Sequence, residues 1–334
     1  MSQQRDAAGW LTLAAMRALL WSIVLVIACD RGHPRDQAPP PPPVVPAPAT
    51  PSCTLAPLPL RLPAPRRLVA IGDLHGDLGG TRAALRTAGA IDDRDHWSGG
   101  ELVVVQTGDV LDRGDDERAI LDLIARLEGE ARAAGGAFIM LLGNHELMNA
   151  AGDYRYVTPG GMHAFDDVAI SSPAAAGVSA PWKQRAGALG PGGLYGKQLA
   201  RHAVVAIIGD TVFSHAGVLG SWVARVDDLN QPSRCWLDGQ AGEPPQVLRF
   251  DDSPVWTRAA GIPSVDCVAL SSALDDLRAS RMVVGHTVQS GGITSACNDM
   301  LWRIDVGLAK LYDGPIQVLE LVPGKPPRIL EGTR

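Results

Sequence analysis

Five times along this chain an apolar run ends and gives way at once to aspartate, histidine or asparagine beside glycine. Leu68–Ile71 runs into Gly72-Asp73-Leu74-His75-Gly76-Asp77. Leu102–Val105 leads to Gly108-Asp109-Val110-Leu111-Asp112-Arg113-Gly114, and Phe138–Leu142 to Gly143-Asn144-His145-Glu146. Val212-Phe213 is followed by Ser214-His215-Ala216-Gly217, and Met282–Val284 by Gly285-His286-Thr287. Short continuous apolar runs bounded by such residues read as buried strands. Between them, Ile120, Leu123, Ile124 and Leu127 recur at helical spacing within 117–134. Further strand-like runs are Val204–Ile208, Thr211–Phe213, Leu301–Ile304 and Val318–Val322. Strands alternating with helices predict an α/β fold with crossover connections.

In such sheets ligand sites collect beyond the carboxyl ends of the strands. One Asp-Xaa-His or Asn-His pair is ordinarily a turn or a satisfied polar residue. Five converging clusters are different, because that many carboxylates and imidazoles do not pack together without compensation. Divalent cations remove the conflict, so the pattern predicts a dinuclear metal site. The donors are carboxylate, amide oxygen and imidazole with no thiolate, which suits Mn, Fe or Zn better than copper. A formal charge of −6 excludes a protein that holds nucleic acid by neutralising phosphates, so no nucleic acid is expected as a partner.

GDLHGD, GDVLDRG, GNHE, a downstream His-Ala-Gly and GHT together resemble the calcineurin-like metallophosphoesterases. The GDxxDRG and GNHE forms resemble the phosphoprotein phosphatase branch. MNAAGDYRYVTP, SPVWTR, and VVGHT followed by WRIDVG are similar to the bacterial type of Shewanella-like protein phosphatases. The resemblance spans about residues 66–322. It implies a β-sandwich flanked by helices in four layers, α/β/β/α, with the site at one edge.

By that resemblance Asp73 and His75 are ligands of a first metal, Asp109 bridges both, and Asn144, His215 and His286 complete the second. Two such ions ~3.5–4 Å apart activate a shared water as a bridging hydroxide for in-line attack on phosphorus. Arg113 and Arg258 resemble the guanidinium clamps on phosphate oxygens, which Asn144 also contacts. His145 is the expected general acid and Asp112 the carboxylate that orients it. The implied activity is metal-dependent hydrolysis of phosphomonoesters, on a phosphorylated protein (serine/threonine or tyrosine) or a small ester. A dinucleoside polyphosphate hydrolase or phosphodiesterase is the alternative within the superfamily. A non-catalytic scaffold on the same fold is disfavoured by the complete ligand set.

Asp77, Glu146 and Ser214 read as supports of the ligands. Trp256 reads as a buttress for Arg258. Tyr154, Arg155 and Tyr156 read as packing within a cap, with the substrate mouth as the other possibility. His96, His163 and His202 lack motif partners and read as surface or core residues.

Residues 1–29 resemble a lipoprotein signal. Arg5 and Arg17 precede the uncharged run Ala18–Ala28, which ends at Cys29, the expected lipidation site. This predicts an extracytoplasmic protein on the periplasmic face, held at the membrane by acyl chains. An uncleaved transmembrane anchor over Gly9–Cys29 is the alternative. Half of the 26 prolines fall between Pro34 and Pro65, so 30–65 reads as a semi-rigid linker. The catalytic domain is then expected over 66–334, with cap insertions near 151–200 and 218–265. Cys53, Cys235, Cys267 and Cys297 remain for disulfides in an oxidising compartment. Position favours Cys235–Cys267, with free buried thiols as the alternative.

Overall fold

The computed structural model describes residues 53–334; the signal-like segment, Cys29 and the linker up to residue 52 lie outside the described residues. Two sheets flanked by helices make up the fold. The first contains β1 (Arg61–Leu62), β5 (Val205–Ile208), β6 (Thr211–Ser214), β7 (Arg281–Val284), β8 (Thr294–Ala296) and β9 (Leu301–Arg303), ordered β1-β5-β6-β7-β9-β8. The second contains β2 (Leu68–Ile71), β3 (Val103–Gln106), β4 (Ala137–Met140), β10 (Ile316–Leu321) and β11 (Arg328–Gly332), ordered β11-β10-β2-β3-β4. The helices are α1 (Leu78–Thr87), α2 (Glu117–Ala133), α3 (Asn144–Ala150), α4 (Pro159–His163), α5 (Lys183–Leu189), α6 (Leu194–Leu199), α7 (Asn230–Leu237), α8 (Gln246–Arg249) and α9 (Cys267–Asp276).

Register explains why the clusters meet. β2, β3 and β4 are parallel, and Ile71, Gln106 and Met140 are paired in a row. The segments that begin at Gly72, Thr107 and Leu141 therefore leave the sheet at one level. In the other sheet Ser214 pairs with Val284 and Val284 with Arg303, again all parallel. His215, Gly285 and Ile304 thus leave side by side. β2, β5 and β6 are buried at every position, as continuous apolar runs of this kind require. One contiguous apolar core joins both sheets to α1, α2 and α9. In α2 the buried face is Ile120, Leu121, Leu123, Ile124, Leu127 and Ala131, on the predicted helical period.

Two glycines are dictated by close approach. A Cβ on Gly143 would sit 2.2 Å from Asp109 Oδ1, and one on Gly285 would sit 2.3 Å from Asp73 Oδ1. Any larger residue would push these carboxylates out of place.

Three expectations are corrected. The fold begins before Arg66: Leu55, Leu58, Leu60 and Leu62 pack on the core, and β1 pairs with β5 in parallel. Proline content concealed this strap because leucine alternates with proline there. The disulfides are Cys53–Cys235 and Cys267–Cys297, not Cys235–Cys267. Sharing an irregular stretch of sequence does not bring two Cα atoms within bonding reach, whereas these pairs lie 5.8 and 5.3 Å apart. Finally, Trp256 does not brace Arg258. Its carbonyl accepts from His286 Nε2 and its indole donates to Leu248 O. Among the described residues no helix is long and apolar enough to cross a membrane.

Candidate dinuclear metal centre

The six ligand candidates, read from five separate loops, come together where both sheets end. Asp109 Oδ2 lies 3.2 Å from His215 Nε2, 3.8 Å from His75 Nε2 and 3.7 Å from His145 Nε2. His75 Nε2 is 3.9 Å from Asp73 Oδ2. His215 Nε2 is 2.9 Å from Asn144 Oδ1 and 3.1 Å from His286 Nδ1. All six are buried. Two groups with metal-like spacing overlap at Asp109: His75, Asp109 and His145, and Asp109, His215 and His286.

The far side of each ring fixes its tautomer. His75 Nδ1 donates to Leu111 O, His215 Nδ1 to Thr107 O, and His286 Nε2 to Trp256 O. When a ring is neutral, the nitrogen facing the centre therefore carries its lone pair. His215 Nε2 and His286 Nδ1 face each other across 3.1 Å, so a cation shared between them would relieve two opposed lone pairs. The donor set thus fits a pair of metal ions.

Electrostatics agrees. Burial, then Asp305 and Asp109, raise the Asp73 pKa well above the ordinary carboxylate range. Burial opposes ionisation of Asp109, yet His215, His145 and His75 hold its pKa well below that range. Burial lowers His75 to about 4, and burial with the neighbouring His215 lowers His286 to about 3. His215 is the exception: burial works against its charging, but Asp109 outweighs burial and raises its pKa. Asp305, two residues beyond β9, is pushed up to about 6 by burial and by the Asp109 charge. Within WRIDVG no local sequence signal marks Asp305 as part of the site.

His75, Asp109, Asp112, Arg113 and His286 all have φ between 45° and 67°. Left-handed backbone at non-glycine residues carries strain and clusters at functional sites. Glu146 holds this shape. It accepts from the backbone N–H of Asp109, Val110, Leu111 and Gly143 at 2.8–3.1 Å. Asp77 instead caps α1 and binds Lys310 N and Arg334. Ser214 Oγ has no partner among the described residues.

His145 differs from the other rings. Its Nδ1 lies 2.5 Å from Asp112 Oδ2 and its Nε2 3.5 Å from Arg113 NH2. A guanidinium at that distance disfavours a metal on Nε2 and favours an anion beside it. Burial lowers the His145 pKa, but Asp109 and Asp112 overcome this and raise it. Arg113 lies over Tyr156 at 4.6 Å and beside Tyr312 at 5.6 Å. Tyr156 also sits 5.1 Å from the His145 ring, so it stands at the site and not within cap packing. Tyr154 stacks on Trp182 and Arg155 pairs with Asp153. Arg258 is exposed, with NH1 3.3 Å from His286 O and 3.2 Å from Thr287 Oγ1. A cleft of about 470 Å³ opens beside His75, Arg113, Thr158 and Lys310.

Paired sheets that deliver overlapping carboxylate and imidazole donors to one edge define a dinuclear metallophosphoesterase. The family model described as calcineurin-like phosphoesterase matches residues 66–290, and the chain belongs to that family. It is 38% identical over 311 residues to Shewanella-like protein phosphatase 2 of Arabidopsis thaliana, covering 82% of this chain and 80% of the relative. It is 29% identical over 259 residues to Shewanella-like protein phosphatase 1 of Plasmodium berghei, covering 73% and 67%. A cold-active protein-tyrosine phosphatase of a psychrophilic Shewanella superposes with TM-score 0.69 at 25% identity, covering 82% and 83%. The chain is therefore a phosphoric ester hydrolase of the dinuclear metallophosphatase kind.

Proposed function

We propose that this enzyme hydrolyses phosphomonoesters on proteins, with phosphotyrosine, phosphoserine or phosphothreonine as the substrate and the side-chain oxygen of that residue as the leaving group. The observation that carries this reading is the position of His145 Nε2, 3.7 Å from Asp109 Oδ2 and 3.5 Å from Arg113 NH2. An anion binding beside Arg113 meets the metal ligands on one side and a proton donor on the other. Asp73, His75 and Asp109 would hold one ion, and Asp109, Asn144, His215 and His286 the other. Bound there, the ions would supply positive charge to the phosphoryl oxygens and lower the pKa of water.

The chain's own side chains do the remainder. Arg113, with its planar fork between two tyrosine rings, orients phosphate oxygens, and Arg258 adds a second positive charge at the rim. The Asn144 amide projects from the same α3 turn. His145 donates its Nε2 proton to the leaving oxygen as the P–O bond breaks, and Asp112 keeps the ring aligned through Nδ1. Ester and water become alcohol and phosphate, with no covalent enzyme intermediate. Manganese, iron and zinc all suit this donor set. The protein relatives support the protein-directed reading over a dinucleotide or diester substrate.

The same proposal places the enzyme outside the cytoplasm, tethered at the membrane through the N-terminal segment. Two disulfides support an oxidising compartment. Mass spectrometry of the mature N-terminus tests the tether: acylated Cys29 supports it, and an intact residue 1 points to the uncleaved anchor.

The activity test is a substrate panel on the purified chain reconstituted separately with Mn, Fe and Zn. Phosphopeptides and aryl phosphates should turn over, and chelation should abolish the rate. Turnover confined to diesters or dinucleoside polyphosphates would overturn the reading.

A further inference from the structure

We propose that Arg185 is a positioning residue for leaving-group protonation, acting through Asp112. It lies on α5, inside a stretch that carried no motif, and its side chain is fully buried. Arginine is almost never so buried without partners. Here every N–H of the guanidinium is used. Nε donates to Asn149 Oδ1 at 2.7 Å, and NH1 donates to Glu117 Oε1 and to Gly161 O. NH2 donates to Glu117 Oε2 at 2.9 Å and to Asp112 Oδ1 at 3.3 Å. Five donors meet five acceptors.

The consequence falls on Asp112. Its Oδ2 holds the His145 ring, so the ring is only as fixed as the carboxylate. A carboxylate tied by one oxygen pivots about its own Cβ–Cγ bond. Arg185 and Asn149 Nδ2 pin the second oxygen, at 3.3 and 2.9 Å. Glu117, clamped by Arg185, holds the Asp112 backbone N–H at 2.9 Å. Side chain and main chain of Asp112 are thus both referred to one guanidinium. A displacement of about 1 Å at a catalytic group costs on the order of 10²-fold. Buried beside two carboxylates, Arg185 also supplies the charge without which they would repel each other.

The inference rests on His145 acting as leaving-group acid, and leaving-group dependence separates the two claims. Arg185→Lys keeps the charge and loses the fork. With a series of substituted phenyl phosphates, wild type should show a shallow dependence of kcat on the basicity of the leaving phenol. The variant should lose about 100-fold on phenyl phosphate but less than about 3-fold on para-nitrophenyl phosphate, whose leaving group needs little protonation. On the zinc-loaded protein, the low-field NMR signal of the His145 Nδ1 proton should broaden or move in the variant. An equal loss on every ester with that signal unchanged overturns the inference and leaves His145 as the acid. A wild-type slope already steep overturns the role of His145 and this inference with it. If Arg185→Lys fails to fold, Glu117→Gln, which loosens the guanidinium and keeps Arg185, is judged by the same two outcomes.

Discussion

Two histidine–carboxylate pairs of this molecule, Asp112–His145 and Glu128–His202, differ in almost every respect except chemical type. Asp112 and His145 meet at 2.5 Å, and both carboxylate oxygens are bonded. Glu128 and His202 stand 3.4 Å apart, and His202 Nε2 has no partner among the described residues. At the first pair Asp109 and Asp112 overcome burial and raise the imidazole pKa. At the second, burial dominates: it lifts Glu128 to about 7 and lowers His202 to about 4. The first pair therefore favours a charged imidazole, whereas at the second burial works against charge on either partner. The difference lies in what surrounds the carboxylate. Asp112 is wired to Arg185, while Arg201 and Arg132 act on Glu128 only through space. A histidine beside a carboxylate becomes chemically useful where other residues stabilise the charged form and where its free nitrogen faces further functional groups, as His145 Nε2 faces Asp109 and Arg113.

The largest effect tests the setting of the active pair. Asp109→Asn removes the carboxylate shared by both groups of metal donors, and phosphatase activity should fall by roughly 10⁴-fold at saturating metal. Wild-type turnover in that variant would dissolve the centre around which the comparison is drawn. Next come the two histidines themselves. His145→Asn should lower kcat for phenyl phosphate on the order of 10³-fold while metal content, measured by elemental analysis, stays at the wild-type level. His202→Asn should leave kcat within about 2-fold, because no contact joins it to the site. If His145→Asn instead sheds metal as His286→Asn is expected to do, His145 is a ligand and the division between acid and ligand fails.

The cluster of candidate metal ligands was legible because its members follow strands. A strand end fixes position, so motif and apolar run together bring Asp73, His75, Asp109, Asn144, His215 and His286 to the edge where both sheets end. The supports were legible only where they shared a motif, as Glu146 does in GNHE. Arg185 was not, because α5 belongs to a Gly- and Ala-rich stretch whose path depends on tertiary packing. Asp305 lies within WRIDVG, but its place at the site comes from β9 running parallel to β7. Tyr156 reads as packing in sequence because nothing local shows that Arg113, 43 positions away, will lie under its ring. The disulfides failed for the same reason: Cys53 and Cys235 are 182 residues apart, and only the fold brings the strap to α7.

The smallest effect is on stability and belongs to the silent pair. Glu128 has its folded pKa raised from 4.5 to about 7, so its contribution is fully present below pH 4.5 and is lost as pH rises to about 7. His202 has its folded pKa lowered from 6.5 to about 4, so its contribution is present above pH 6.5 and is lost as pH falls toward 4. Between roughly pH 4.5 and 6.5 the two slopes oppose each other in the wild type. Glu128→Gln removes one of them. The variant's advantage over wild type should therefore be near zero at pH 4.5, grow through pH 7 and then level off at about 3 kcal/mol. Urea unfolding at closely spaced pH values measures this. A constant difference across the range would mean that Glu128 ionises in the folded protein as freely as in the unfolded chain, and the contrast with Asp112 would then rest on geometry alone.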